Sequence, residues 1–275
     1  MSRPGTLFAD VTLAGGRPYA ERAEEEPRWH DRLARSLHEA TLAPARRAVS
    51  GLEGELRRLV EATNAAEPAA RALSDDALRA RALALRGRLR REGFTVDATS
   101  QAFALIRAAA MRTLGQRHFD TQLMGGYALL RGRLVEMATG EGKTFCATLP
   151  ACAMALAGYP VHVITVNDYL AERDAQKMGP LYAFFGLGVG VVRQGMERDQ
   201  RRQAYAQPVT YATNKELAFD YLRDRVALRG RASRLHQSLV QLSGEATGEG
   251  TVLRGLYFAI VDEADSVFVD ERARR

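Results

Sequence analysis

The sequence has few cysteines, and no signal peptide is expected from its first residues. Only Cys146 and Cys152 occur among its 275 residues, and neither has the Cys or His neighbours that a zinc site or a disulfide framework needs. A reduced, cytosolic setting is therefore expected. The first residues include Arg3, Asp10 and Arg17 and lack the apolar segment of a signal peptide.

Charge is missing from residues 147–166, which contain no Asp, Glu, Lys or Arg. Pro150, Gly158 and Pro160 interrupt this stretch, and residues 161–166 are rich in β-branched side chains. This pattern is typical of a buried helix followed by a buried strand rather than of a membrane span. The sequence therefore predicts a soluble chain.

Acidic residues are outnumbered by basic ones, 33 against 39, which gives a formal net charge of +6. This excess suits a negatively charged partner such as nucleic acid, anionic lipid or an acidic protein surface, without choosing among them. Apolar residues make up 46% of the chain and charged residues 26%, which is ordinary for a globular protein with a core.

Composition and hydrophobic periodicity divide the chain into three regions. Residues 1–28, rich in Gly, Pro and charge, are predicted to form a mobile N-terminal arm. Residues 29–115 place leucines at helical spacing and predict a helical region, with one helix beginning at Ser74. Residues 116–275 alternate β-branched runs with helical ones. That alternation predicts an α/β fold, a parallel sheet with helices on both faces.

The patterns also place individual elements. Strands are predicted at 133–137, 161–166, 189–193, 208–212 and 256–261. Helices are predicted from 100 or 101 to 114 and at 143–157, 168–185, 197–206 and 214–227. Residues 229–254 are polar and Gly-rich, and we expect a surface excursion there.

A loop between the first predicted strand and the next helix has the character of a phosphate-binding loop. Glycines let several backbone N–H groups point inward, and the following helix adds its positive N-terminal end. Lys143 would reach the β- and γ-phosphates, and the Thr144 hydroxyl would ligate Mg²⁺. The general pattern has a glycine at the position of Met137, so this chain keeps only the second half of it. The predicted nucleotide-binding residues of the loop are Thr139, Gly140, Glu141, Gly142, Lys143 and Thr144.

A second signal follows the predicted strand at 256–261. Asp262 stands at the carboxyl end of this strand, where an acidic residue can hold Mg²⁺. Glu263 is next to it and could orient or deprotonate an attacking water. The alternative is that residues 262–265, D-E-A-D, form a solvated acidic cluster. Their position after an apolar strand, downstream of the glycine loop, favours ATP hydrolysis.

Together G-E-G-K-T and D-E-A-D resemble the helicase-like motors of superfamily two. The segments between them resemble the SecA family, the motor ATPases of bacterial preprotein translocation. These segments are residues 117–126, 165–174, 210–216 and 219–224. The resemblance covers roughly residues 70–271. It implies that residues 116–275 are the first, RecA-like and DEAD-type, nucleotide-binding domain, incomplete and truncated before a second motor domain.

The resemblance implies roles for individual residues. Gln122 would recognise the adenine edge of ATP or ADP, since an amide can make two hydrogen bonds. Residues 140–144 would hold the phosphates, and Asp262 together with Thr144 would serve Mg²⁺. Glu263 would be the catalytic carboxylate, acting with Lys143.

Two further segments have open interpretations. Asn167, Asp168 and Arg173 stand where such motors couple the nucleotide state to the bound polymer. The alternative is a helix capped by Asn167 with an exposed Arg173. Residues 220–224 could likewise be structural, tying a helix to the sheet through an Arg–carboxylate bond.

The resemblance also implies partners. They are a preprotein substrate, a SecYEG-type membrane channel and a second copy of the chain, with the protein in the cytoplasm and peripherally associated with the inner membrane. Nucleic acid is not expected, because the few aromatic residues are spread along the chain. Six arginines of the N-terminal region could face anionic lipid, or could form an ordinary solvated helix face. They are Arg32, Arg35, Arg46, Arg47, Arg57 and Arg58.

The sequence ends at Arg275, where the family continues with a preprotein-binding domain and a second motor domain. Residues 270–275 also depart from the family's D-E-A-R-T-P. Because arginine fingers of the second domain stabilise transition-state charge, we expect this chain to bind nucleotide weakly and to hydrolyse it slowly. Two alternatives stay open, an RNA or DNA helicase and a truncated chain that acts as a regulatory binding module.

Overall fold

The computed structural model describes residues 52–227 and 251–264. The predicted arm at 1–28 lies outside these residues, as do positions 29–51 with Arg32, Arg35, Arg46 and Arg47. Most of the Gly-rich stretch at 229–254 and the end of the chain from Asp265 onward also lie outside them.

Helices form the first part of the described chain. Ser74 Oγ accepts a hydrogen bond from the N–H of Ala77, and Thr95 Oγ1 accepts one from the N–H of Ala98, each at 3.3 Å. Such side-chain caps satisfy N–H groups that the first helical turn leaves free. The predicted helix start at Ser74 is confirmed, whereas the helix expected from residue 100 or 101 begins earlier, at Val96. The helices are α1 Leu52–Ala72, α2 Asp75–Glu92, α3 Val96–Leu114 and α4 Asp120–Leu130.

Strands and helices alternate in the second part. The four strands are all parallel and lie in the order β2-β3-β1-β4. Both the predicted parallel sheet and the four helices predicted between residues 143 and 227 are confirmed. The elements are α5 Lys143–Leu156, β1 Val161–Thr165, α6 Asp168–Phe184, β2 Val189–Val192, α7 Arg198–Tyr205, β3 Val209–Thr213, α8 Asn214–Ala227 and β4 Phe258–Val261.

The strand predicted at residues 133–137 is wrong. This segment has no strand, and Leu134 within it is 89% exposed. Val135 and Met137 lie instead beside Gly125 of α4. A strand-like segment becomes a strand only where a neighbouring strand takes its backbone hydrogen bonds, and among the described residues no strand pairs with this segment.

Helices cover both faces of the sheet. On one face the hydroxyl groups of Tyr211 in β3 and Tyr182 in α6 lie 3.2 Å apart. On the other face the ring of His162 in β1 lies 6.0 Å from that of Tyr205 in α7. Because successive residues of a strand point to opposite faces, these contacts place α6 and α7 on opposite sides, as the sequence predicted.

The N-terminal helices share a core with the sheet. Helix α3 packs against α1, α5 and α6. Its residues Phe103 and Ile106 belong to the same apolar cluster as Leu149 of α5 and Leu181 of α6. The division of the chain into regions at residues 28 and 115 stays a prediction.

The uncharged stretch at 147–166 forms the second part of α5 and strand β1, as predicted. Leu149, Val161 and Val163 of this stretch are buried. Among the helices described, none has the length and apolar character needed to span a membrane.

Candidate functional site

The glycine loop turns sharply into helix α5. Gly140 and Gly142 have φ angles of 91° and 80°, values that glycine adopts without steric strain. Helix α5 begins at Lys143 and has no acidic residue in its first turn. Its positive N-terminal end is therefore not neutralised from within the helix.

A cleft of about 600 Å³ lies between this loop and the carboxyl ends of β1 and β4. Parallel sheets bind ligands at this edge, since the loops that follow the strands meet there. The predicted site residues that line the cleft are Thr139, Gly140, Gly142, Lys143, Thr144, Asp262 and Glu263.

Asp262 and Glu263 follow strand β4 directly. The N–H of Asp262 donates to the carbonyl of Ile164 in β1 at 2.9 Å. The N–H of Glu263 donates to Asp262 Oδ1 at 3.0 Å. Among the described residues other than glycine, only Glu263 has a positive φ, 52°, which costs on the order of 1 kcal/mol. The backbone thus turns abruptly at the sheet edge and brings both carboxylates into the cleft.

The charges around Asp262 fit a bound cation. Burial raises the pKa of Asp262, and the negative charge of Asp174 adds to this, while the Glu263 N–H and the charges of Lys143 and Arg173 lower it. A partly buried carboxylate whose ionisation is made less favourable in this way is stabilised by a cation beside it. No group of three or more Asp, Glu, His or Cys within 52–227 and 251–264 could hold a metal. The donor set fits Mg²⁺, which takes few protein ligands and completes its shell with water and phosphate oxygens.

Arg173 and Asp174 of α6 also line the cleft. Arg173 Nε and Nη2 donate to Asp174 Oδ1 at 2.8 and 2.7 Å. Asp174 is 3% exposed, whereas the side chain of Arg173 is 48% exposed. Sequence reasoning singled out Arg173 but missed Asp174. The available signal was an acidic residue on the same helix face as the buried Ala171 and Met178.

The start of α6 has the geometry of a capped helix, which is the alternative to a coupling role for these residues. Asn167 Oδ1 accepts from the N–H of Leu170 at 2.9 Å and caps the helix. Asp168 Oδ2 accepts from the N–H of Gln194 at 2.9 Å, which fixes the segment after β2. A role of these residues in coupling stays a prediction.

Gln122 lies behind the glycine loop and is 3% exposed. Its Oε1 accepts from the N–H of Phe119 at 3.0 Å, and its Nε2 donates to the carbonyl of Glu141 at 2.8 Å. The side chain of Glu141 also accepts within the loop, from the N–H of Ala138 at 3.1 Å. Gln122 therefore connects the start of α4 to the loop. Adenine recognition by Gln122 stays a prediction.

The carboxylates of residues 220–224 make structural contacts. Asp220 is fully buried and accepts from Arg201 Nη1 at 2.9 Å and from the hydroxyl of Tyr205 at 3.0 Å. Asp224 accepts from the N–H groups of Val252 and Leu253, each at 2.8 Å. These bonds tie α8 to α7 and to the segment before β4.

Residues 46–274 match the SecA DEAD-like domain family. The chain belongs to this family. Related proteins include protein translocase subunit SecA 2 of Nitrosospira multiformis, 46% identical over 255 residues that cover 92% of this chain and 38% of the relative. Protein translocase subunit SecA of Solidesulfovibrio magneticus is 49% identical over 216 residues, 78% of this chain and 24% of the relative. Protein translocase subunit SecA 3 of Magnetococcus marinus is 44% identical over 257 residues, 93% and 38% of the two chains.

The SecA resemblance read from residues 70–271 is thus confirmed. This SecA-family chain spans between 24% and 38% of the length of those three relatives.

Proposed function

We propose that this chain is the ATP-binding part of a SecA-type preprotein translocase motor, in which ATP hydrolysis drives a polypeptide through a membrane channel. The observation that carries the proposal is a single cleft in which the glycine loop faces Asp262 and Glu263, in a chain of the SecA DEAD-like family.

The main predicted site residues of the cleft have distinct chemical tasks in this proposal. The N–H groups of residues 140–144 hold the phosphates of ATP or ADP, and Lys143 pairs with their outer oxygens. Thr144 and Asp262 hold Mg²⁺, which supplies charge neutralisation and Lewis acidity when bound. Glu263 orients the attacking water and accepts its proton.

The proposed partners are a preprotein, a SecYEG-type channel at the inner membrane and a second copy of the chain. The names of the relatives support the first two, since these proteins are translocase subunits. Of the six arginines considered for contact with anionic lipid, the structure describes Arg57 and Arg58. Arg57 pairs with Glu53 at 3.6 Å and Arg58 Nε donates to the carbonyl of Gly54 at 3.3 Å, as on a solvated helix face.

The first experiment is a titration of fluorescent ADP with and without Mg²⁺. We expect Mg²⁺-dependent binding that Lys143→Ala weakens about tenfold or more, since hydrogen bonds to charged groups contribute roughly 1.5–3 kcal/mol. Lys177→Ala, which removes an exposed lysine outside the cleft, is the matched control and should bind as the wild type does. Equal binding by Lys143→Ala would contradict the proposal.

A second experiment separates translocation from the alternatives. Single-turnover ATP hydrolysis is measured with unfolded preprotein and channel-containing vesicles, and separately with single-stranded RNA. Stimulation by preprotein supports the motor, and stimulation by RNA alone supports a helicase. Preprotein binding with no turnover supports a regulatory binding module. We expect slow turnover by the chain alone.

A further inference from the structure

A cluster of charged side chains around a buried arginine lies behind the glycine loop, outside the cleft. Arg107 of α3 is its centre and is fully buried. Its Nη1 lies 3.0 Å from Glu67 Oε2 in α1, and its Nη2 lies 2.9 Å from Asp120 Oδ1 at the start of α4. Nη1 also donates to Asn64 Oδ1 at 2.6 Å. One guanidinium therefore joins three helices.

Glu67 is held by a second arginine as well. Arg117 Nε and Nη2 donate to Glu67 Oε1 and Oε2 at 2.8 and 2.7 Å, the fork geometry that makes arginine–carboxylate pairs strong. Burial raises the pKa of Glu67, but Arg117 and Arg107 together hold it below its usual value. Glu67 is thus a buried, ionised carboxylate whose removal leaves two arginines without their shared partner.

Direct contacts run from this cluster to the glycine loop. Arg107 Nε donates to the carbonyl of His118 at 2.7 Å, and the N–H of the next residue, Phe119, donates to Gln122 Oε1. Gln122 Nε2 in turn donates to the carbonyl of Glu141. A Cβ added at Gly142 would approach that Nε2 to 2.7 Å, so the amide is also packed closely against the loop.

The segment that contains His118 also contacts helix α5. The ring of His118 stacks on that of Phe145, with centroids 3.7 Å apart. His118 Nε2 lies 3.0 Å from Thr148 Oγ1. Residues 118–122 are therefore held between this cluster and helix α5, which follows the glycine loop.

We propose that Arg107 and Glu67 are positioning residues for the nucleotide site, acting through residues 118–122 and the amide of Gln122 on the glycine loop. Neither residue lines the cleft. The inference rests on the proposed function, because it concerns the affinity of the same site. It makes the N-terminal helices part of what shapes the nucleotide pocket.

A double-mutant cycle on Mg²⁺-dependent ADP binding tests the proposal in the whole chain. Glu67→Gln keeps the shape of the side chain and removes its charge. We expect it to weaken ADP binding about fivefold or more, the lower end of typical couplings between sites. In a Gln122→Ala background the connection is already cut, so Glu67→Gln should change the affinity little.

Asp75→Asn is the matched control. Asp75 forms an ion pair with Arg112 between α2 and α3 at 2.6 Å, and this pair is more exposed than that of Arg107 and Glu67. We expect its ADP affinity to equal that of the wild type. Asn64→Ala removes a milder contact to Arg107 and replaces Glu67→Gln if that variant does not fold, with near-UV circular dichroism as the check on folding.

The outcomes distinguish a failure of the positioning role from a failure of the proposed function. Equal weakening by Glu67→Gln in both backgrounds, or none in a folded variant, overturns the positioning role alone. Non-additive weakening supports it. If Lys143→Ala binds ADP as tightly as the wild type does, both the proposed function and the positioning role are overturned.

Discussion

Arg173 and Asp174 form the one ion pair that the structure describes within the lining of the cleft. The guanidinium is half exposed and the carboxylate is buried. Without Arg173, the negative charges of Asp174 and Asp262 in the cleft lining would lose a neighbouring positive charge. Arg173 therefore limits the negative charge of the site.

Replacing Arg173 by alanine should weaken Mg²⁺–ATP binding about fivefold, since a half-exposed ion pair contributes up to about 1 kcal/mol. Adding Asp174→Asn should restore part of the affinity, because the uncompensated negative charge is then removed. Isothermal titration calorimetry measures both. Arg193→Ala, which breaks a surface pair with Glu172 outside the cleft, is the control, and an equal effect there would rule out a specific role.

Among the elements, the contact between α7 and β2 leaves no room for a side chain at position 190. An ideal Cβ on Gly190 would overlap the carbonyl of Ala204 in α7. The same carbonyl accepts from Thr210 Oγ1 of β3 at 3.1 Å. The end of α7 is thus fixed on the sheet at the distance that glycine allows.

The substitution Gly190→Ala should lower the free energy of unfolding by about 2 kcal/mol, as overpacking in a core does. Gly54→Ala in α1 is the matched control, because no atom outside the adjoining helix backbone lies within 4 Å of the added Cβ. It should raise that free energy by up to about 1 kcal/mol. Urea denaturation measures both, and an unchanged midpoint for Gly190→Ala would show that α7 can move away.

For the molecule as a whole, two buried histidines link folding to pH. His118 lies between the N-terminal helices and α5, and His162 lies in the sheet. Burial lowers the pKa of His118 from its usual 6.5 to about 3, and the charge of Arg107 adds to this. Burial likewise lowers the pKa of His162 to about 4, with the charge of Arg254 adding. Both are neutral in the folded chain above these values.

The free energy of unfolding should therefore decrease as the pH drops below 6.5. The unfolded chain then binds protons that the folded chain does not take up until its lower pKa is reached. Each histidine contributes up to about 1.4 kcal/mol per pH unit in this window. Urea denaturation between pH 7.5 and 5 measures the slope. His118→Gln should reduce it by about half, and an unchanged slope would show that His118 is not its source.

Local features of the site were predictable from the sequence, and pairing between distant segments was not. The glycines of the loop, the acids after β4 and the cap at Asn167 each depend on a few neighbouring residues. Residues 133–137 have a strand-like sequence, yet a strand requires a partner that no short window contains. The same limit hid Asp174, whose place beside Asp262 follows from the packing of α6 on the sheet.

The sequence by itself determined the strand–helix alternation, the family and the two motifs of the cleft, because periodicity, capping and motif spacing are properties of short stretches of chain. Only the tertiary structure decided that Gln122 supports the loop at Glu141, 19 residues away, and that Arg107 reaches Glu67, 40 residues away. Such contacts depend on how the helices pack, because a buried charge needs polar or oppositely charged partners and these come from several elements.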